Sequence, residues 1–175
     1  MKIYTKQGDK GTTAVYTTTV TRVDKDDLLL ECYGNLDELN SYIGLVASQY
    51  TTNKNTGLSS FLQSIQQDIF AIGFALSDSD KLEASSVEKL EHQIDSLLES
   101  VSPQTSFILP GGCELSAHIH VARTIARRSE RSLVSVSKAH NVNEIALAYV
   151  NRLSDFLFVL ARYENKQQGT PDIKV

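Results

Sequence analysis

The chain has 175 residues, 41% apolar and 22% charged, the values of an ordinary globular domain, which excludes a largely disordered or fibrous polypeptide. With 17 Lys plus Arg against 21 Asp plus Glu the net charge is -4, so no overall cationic excess exists to attract nucleic acid or an anionic membrane. Any anion site must therefore be local.

Residues 1–30 mix Gly, Asp and Thr with little apolar periodicity and read as a loop with short extended pieces. A helix is expected from Asn35, its N-cap, with Leu36, Leu39, Ile43, Val46 and Ala47 on one face. Residues 51–57 form a surface loop, and a second helix follows from about Leu58 through Phe61, Leu62, Ile65, Ile69, Ile72 and Leu76. A third spans about Ser86 to Glu99, with Val87, Leu90, Ile94, Leu97 and Leu98 inward. Pro103 and then Pro110-Gly111-Gly112 interrupt the pattern. A fourth helix resumes with Leu115, Ile119, Ala122, Ile125, Ala126 and Leu133, and the last runs from about Val142 to Glu164, with Ile145, Ala148, Tyr149, Leu153, Phe156, Leu157 and Leu160 inward. Gly169-Thr170-Pro171 ends it. Five helices with short connections predict an all-α, antiparallel five-helix bundle forming a single domain over 1–175, with a loop segment over 1–30 and the bundle over 35–165.

Three places carry candidate chemistry. Thr5 to Thr13 concentrates glycines, hydroxyls and the cations Lys6 and Lys10, either as a phosphate cradle of main-chain N–H groups or as an ordinary Gly/Asp turn. It is not a P-loop, which needs G-x-x-x-x-G-K-[ST] between strand and helix. In the fourth helix Arg123, Arg127 and Arg131 recur every four residues, so their guanidinium groups share a face, with Glu130 the sole acid nearby. Like charges stacked this way are mildly destabilising and an anion would relieve them; the alternative is a solvated face with surface ion pairs. In the fifth helix Asn151, Arg152 and Asp155 interrupt an apolar run and need partners, whether a ligand or neighbouring arginines.

Glu114, His118 and His120 invite a metal reading, but histidines two apart point to different faces and no second Glu-x-x-His occurs. Cys32 and Cys113 lack the spacing of a zinc or disulfide framework and read as packing thiols of a reducing compartment. No secretory leader follows Met1, and the longest apolar runs, such as Phe156 to Ala161, fall far short of the ~18 residues of a membrane span. A cytoplasmic protein with no membrane or nucleic-acid partner is expected.

Five co-linear motifs then carry a resemblance: Thr5-Lys6-x-Gly8-Asp9-x-Gly11-x-Thr13, Tyr33-Gly34-x-x-Asp37-Glu38-Leu39-Asn40-Ser41, Phe107-Ile108-Leu109-Pro110-Gly111-Gly112, Ala122-Arg123-Thr124-x-x-Arg127-Arg128-x-Glu130-Arg131 and Asn151-Arg152-Leu153-Ser154-Asp155. Over residues 1 to about 164 the chain resembles the PduO-type ATP:cob(I)alamin adenosyltransferases. The resemblance implies a homotrimer with ATP at each subunit interface, and transfer of the 5′-deoxyadenosyl group of ATP to cob(I)alamin with release of triphosphate. It implies that Thr5, Lys6, Gly8, Asp9, Gly11 and Thr13 form the ATP loop, that Lys25 adds a phosphate contact, and that Glu130, Arg131 and Asn151 hold the nucleotide. Arg127 would meet the triphosphate and stabilise its departure, and Phe107 would close the lower face of the corrinoid.

The same resemblance makes Asp37 and Arg123 the pair joining subunits, and Mg²⁺ a cofactor held by ATP phosphates rather than by side chains. A corrinoid reductase and an adenosylcobalamin-dependent enzyme are implied partners. A non-catalytic carrier or sensor of ATP or adenosylcobalamin is the alternative. The chain departs from the family at Ala14 to Thr21, where a β-branched run replaces a glycine-rich turn and positive φ is disfavoured.

Overall fold

The structure, a computed structural model, describes residues 2–16, 20–52, 55–76 and 82–175. Two strands come first, β1 (Thr12–Tyr16) and β2 (Val20–Asp24), paired antiparallel with Thr12 opposite Asp24 and Tyr16 opposite Val20. The β-branched run that departs from a glycine-rich turn thus supplies strand residues, since Val15 and Thr21 face each other in an extended ladder that suits such side chains. Thr17 to Thr19, part of that departure, and Asn53 and Lys54 of the expected loop lie outside the described residues.

Five helices follow: α1 (Leu28–Thr52), α2 (Thr56–Ala75), α3 (Ala84–Leu98), α4 (Glu114–Val136) and α5 (Glu144–Gln167). α1 packs on α2 and α4, α4 on α5, and α5 on α3. Early residues of one helix meet late residues of the next: Asn40 Nδ2 donates to the Gln66 carbonyl at 3.3 Å, and Ser59 Oγ to that of Ala47 at 3.3 Å. Ser129 Oγ donates to the Asn35 carbonyl at 2.9 Å, while Tyr42 Oη meets His118 Nδ1 at 3.0 Å. The α1–α2 and α1–α4 pairs are therefore antiparallel. The stripes read from the sequence form one core in which Leu39, Ile43, Leu62, Ile65, Leu133, Tyr149, Leu153 and Phe156 are buried, with Phe61 set edge-on to Phe156 at 5.4 Å.

Several expected boundaries are corrected. α1 starts at Leu28, not at Asn35, because Asp27 caps it, its Oδ1 accepting the Leu29 N–H at 2.7 Å, and because Leu29 and Cys32 extend the buried stripe backwards. Asn35 is a buried polar residue inside α1, accepting from Arg128 Nε at 3.0 Å. α3 begins at Ala84, and Ser86 sits within its first turn, donating to Asp68 of α2 at 3.2 Å. α5 begins after Asn143, whose side chain accepts from the Ile145 N–H at 2.9 Å, and runs on to Gln167. Leu98 and Ala148, expected inside, lie at the surface. Asn151 and Asp155, expected in an apolar run, also face solvent, because the buried stripe of α5 passes between them through Leu153 and Ser154.

Candidate functional site

The N-terminal loop is held open by its own backbone. Lys6 and Gly11 both adopt positive φ, 59° and 81°, and the Gly11 N–H closes a turn onto the Gly8 carbonyl at 3.3 Å. Arg22 of β2 clamps the turn, donating to the Gln7 carbonyl at 2.7 Å and to Thr12 Oγ1 at 2.6 Å. Its Nη2 alone reaches both flanks of Gly8 to Gly11, with Nε adding a second bond to Thr12 Oγ1 at 3.2 Å, a role that spacing alone did not reveal. Lys25 follows β2, its N–H donating to the Gly11 carbonyl at 2.9 Å. Its Nζ folds back so closely that a Cβ at Gly8 would lie 3.2 Å from it. Thr5, Lys6 and Asp9 are exposed and Thr13 is half-buried, so the loop presents hydroxyls, N–H groups and two lysines to solvent.

Arg128 lies off the face that Arg123, Arg127 and Arg131 share. Arg128 turns toward α1, where it pairs with Glu38 and with Asn35, and is a bundle tie. Arg127 and Arg131 stay exposed on the other side, Arg131 oriented by its Nη1 donating to the Arg127 carbonyl at 3.0 Å. With Glu130, Val134 and Asn151 they line an open cavity of about 350 Å³ between α4 and α5. Asn151 Nδ2 donates to Glu130 Oε1 at 2.8 Å, which leaves the second carboxylate oxygen and the amide oxygen as acceptors. The cavity thus offers two guanidinium groups for an anion and a fixed acceptor pair for hydroxyls or amines. Asp155 is not part of it: Arg152 binds Asp155 at 2.8 Å and Glu91 of α3 at 3.0 Å.

Arg123, one turn before Arg127, is different. Its Nε is buried without a hydrogen-bond partner among the described residues, and burial, followed by the charge of Arg127, pulls its pKa down. Asp37 is exposed on α1, beside a largely apolar groove of about 450 Å³ that includes Tyr33, Ile69 and Phe70. Neither touches the other within one chain.

Phe107 is 82% exposed. Its segment pairs with the C-terminal tail: the Leu109 N–H donates to the Ile173 carbonyl at 2.9 Å and the Val175 N–H to the Phe107 carbonyl at 3.0 Å. The turn that follows is locked to α5 by Asn165, which accepts from the Cys113 N–H at 3.0 Å and donates to the Gly111 carbonyl at 3.0 Å. A glycine run followed by a buried Asn on another helix was the available signal, but their pairing is not readable from spacing. Among the described residues none of the N-terminal loop, nor Phe107, lines the α4–α5 cavity. One chain therefore holds the loop, the arginine cavity and the exposed ring at separate places.

The family profile for cobalamin adenosyltransferase matches residues 3–164. A corrinoid adenosyltransferase from Bacillus subtilis is 40% identical over 180 residues, covering 99% of this chain and 92% of that protein. The corrinoid adenosyltransferase PduO of Salmonella typhimurium is 41% identical, and this chain spans 52% of its length. Among solved structures, a phenylalanine-to-alanine variant of a PduO-type ATP:corrinoid adenosyltransferase from Lactobacillus reuteri, complexed with cobalamin and ATP, superposes with a TM-score of 0.92 at 37% identity, covering 99% of both chains.

Proposed function

The chain belongs to the cobalamin adenosyltransferase family, and on that premise we propose how its residues divide the work of moving the 5′-deoxyadenosyl group of ATP to cob(I)alamin. The cobalt of cob(I)alamin supplies the electron pair for the new bond to ribose C5′. The C5′–oxygen bond breaks, and triphosphate leaves with the electron pair of that bond. No proton moves in this step, so the protein needs no acid or base. Its contributions are orientation and charge.

The observation that carries the assignment is the α4–α5 cavity, where Arg127 and Arg131 flank the Asn151–Glu130 pair. Arg127 faces the leaving triphosphate, whose negative charge grows as the bond breaks; a guanidinium remains charged and grips phosphate oxygens in pairs. Glu130, Arg131 and Asn151 hold the rest of the nucleotide. Thr5, Lys6, Gly8, Asp9, Gly11 and Thr13, with Lys25, wrap the phosphates. Mg²⁺, held by the ATP phosphates rather than by side chains, would neutralise part of the same charge.

Because loop and cavity lie apart in one chain, the loop of one subunit completes the cavity of its neighbour, and Asp37 pairs with Arg123 across that contact in a homotrimer. Phe107, exposed and apolar, packs against the corrinoid and keeps water from its lower face. Cob(I)alamin requires a reductase to generate it, and an adenosylcobalamin-dependent enzyme consumes the product. No helix among the described residues is long and apolar enough to cross a membrane. With two free thiols, the cytoplasm is the compartment that suits the chain.

An anaerobic assay with chemically reduced cob(I)alamin, ATP and Mg²⁺ tests the assignment by following adenosylcobalamin and triphosphate together. Equimolar appearance of both is expected. Binding of both substrates without either product would overturn catalysis and favour a carrier.

A further inference from the structure

Phe107 has almost no packing of its own, yet its backbone is tightly held. Two main-chain hydrogen bonds fasten its segment to residues 173–175, with Ile108 opposite Lys174 in an antiparallel bridge. That tail is held in turn by the Lys174 Nζ bond to Thr105 Oγ1 at 3.2 Å, by the Thr170 N–H bond to the Asn165 carbonyl at 2.8 Å and, directly before the bridge, by Asp172. Asp172 Oδ2 accepts from Arg162 Nε at 2.8 Å, and Asp172 Oδ1 accepts from Asn165 Nδ2 at 3.2 Å. Arg162 is 7% exposed and Asp172 18%, so this pair is shielded from water. Arg162 also donates to the Ser102 carbonyl at 3.0 Å, ahead of Phe107, and Asn165 grips Gly111 and Cys113 behind it. Both flanks of the Phe107 segment and the strand beside it therefore converge on two adjacent turns of α5.

We propose that Asp172, with the tail strand it anchors, is the positioning brace of Phe107: it sets the height and angle at which the ring meets the corrinoid, without touching the corrinoid itself. This rests on the assignment of Phe107 to the corrinoid face. An edge of two hydrogen bonds carries no side-chain specificity, so its register depends on the residue that fixes where the strand begins. Asp172 stands immediately before Ile173 and fixes it through a charge-assisted bond. A ring displaced by about 1 Å loses contact with a planar ligand, while an ATP site elsewhere in the molecule is left intact.

Two variants test the brace. Asp172→Asn weakens the anchor, and Val175→Pro removes the single N–H that holds the Phe107 carbonyl while remaining compatible with an extended strand. Both are expected to raise KM for cob(I)alamin or lower kcat by about tenfold, with KM for ATP unchanged. In each, the Leu109 amide should exchange with solvent faster than in the parent chain. Combined with Phe107→Ala, neither should add a further loss, because the brace acts through that ring. Losses that add to those of Phe107→Ala, or that fall equally on ATP, would overturn the brace, as would parent corrinoid kinetics in both variants when Phe107→Ala alone is impaired. If Phe107→Ala itself behaves as the parent chain, the assignment of Phe107 fails and the brace with it.

Discussion

Asn151 Nδ2 on α5 donates to Glu130 Oε1 on α4 at 2.8 Å, and this bond spans the floor of the arginine-lined cavity. It orients the carboxylate, whose second oxygen, on the proposed assignment, receives a hydroxyl of the nucleotide. Asn151→Ala removes one contact to ligand and loosens another. A neutral bond of this kind contributes ~1 kcal/mol, so KM for ATP should rise about fivefold with kcat nearly unchanged. Initial rates at varied ATP check this, and a lowered kcat at unchanged KM would contradict it.

On the proposed assignment Arg127 acts at a different stage. Charge on the leaving triphosphate grows only in the transition state, so Arg127→Ala should lower kcat by about 10²–10³ while corrinoid binding persists. Arg127→Lys keeps the charge but not the paired geometry and should fall between the two. Single-turnover rates separate this chemistry from product release. Equal loss in both variants would mean that charge alone is not what the residue supplies.

Gly112 adopts φ of 107°, and a Cβ there would run into the side-chain amide of Asn165. Backbone strain and a clash against a doubly engaged amide both follow from a single methyl group. Gly112→Ala should cost about 3 kcal/mol, lowering Tm by roughly 6–12 °C in a domain of this size. Adding Asn165→Ala relieves the clash but not the loss, since the bonds to Gly111 and Cys113 disappear with it. Gly57→Ala, early in α2 with only Asn55 Oδ1 near at 3.8 Å, is the control and should leave Tm unchanged or slightly higher. Thermal unfolding followed by circular dichroism reads all three.

His120 is buried against Phe158, and neither ring nitrogen has a hydrogen-bond partner among the described residues. Burial, aided by the charge of Arg123 and opposed by Asp172, pushes its pKa from 6.5 down to about 4. Between those values the unfolded chain binds a proton that the folded chain refuses. Stability is therefore complete above pH 6.5 and falls as the pH drops toward 4, by up to ~3 kcal/mol. Glu164 works in the opposite sense: burial raises its carboxyl pKa, so its contribution weakens as pH rises above the ordinary carboxylate range. In His120→Leu the acid-side slope of a pH series of urea midpoints should flatten, and in Glu164→Gln it should steepen. A His120→Leu slope equal to that of the parent chain would show that the ring titrates normally.

Helix content and the buried stripes were legible because a period near 3.6 leaves its mark on every apolar position. The start of α1 was not, because an Asn before a leucine run looks like a cap whether it caps or, like Asn35, is buried to receive Arg128. The shared face of Arg127 and Arg131 was legible and sets them apart from Arg128, but the same spacing includes Arg123, whose Nε is buried without a partner among the described residues, and it does not show that Arg128 spends its charge on Glu38. Two non-local pairings stayed hidden: Arg22 across the N-terminal turn, and the tail against Phe107. Both run largely through main-chain groups, which every residue carries alike.

Arg123 presents the strongest case for a second subunit. A guanidinium whose Nε is buried without a partner among the described residues is unfavourable in an isolated chain, and a carboxylate from outside removes the penalty. Asp37 is exposed on α1 and carries a charge suited to that position on a neighbour. A closed ring of three uses one such contact per interface, so every copy both gives and receives it. If the proposed trimer holds, Asp37→Arg should break the assembly and abolish transfer, because the loop would no longer reach the neighbouring cavity. Arg123→Asp should do the same. Combining them reverses each pair without removing it and should restore assembly in part, read as mass by light scattering and as activity in the same fractions. Restored mass without activity would show that Arg123 also serves the nucleotide; no restoration would mean that the two residues do not meet. A trimer that survives both single changes would place the subunit contact elsewhere.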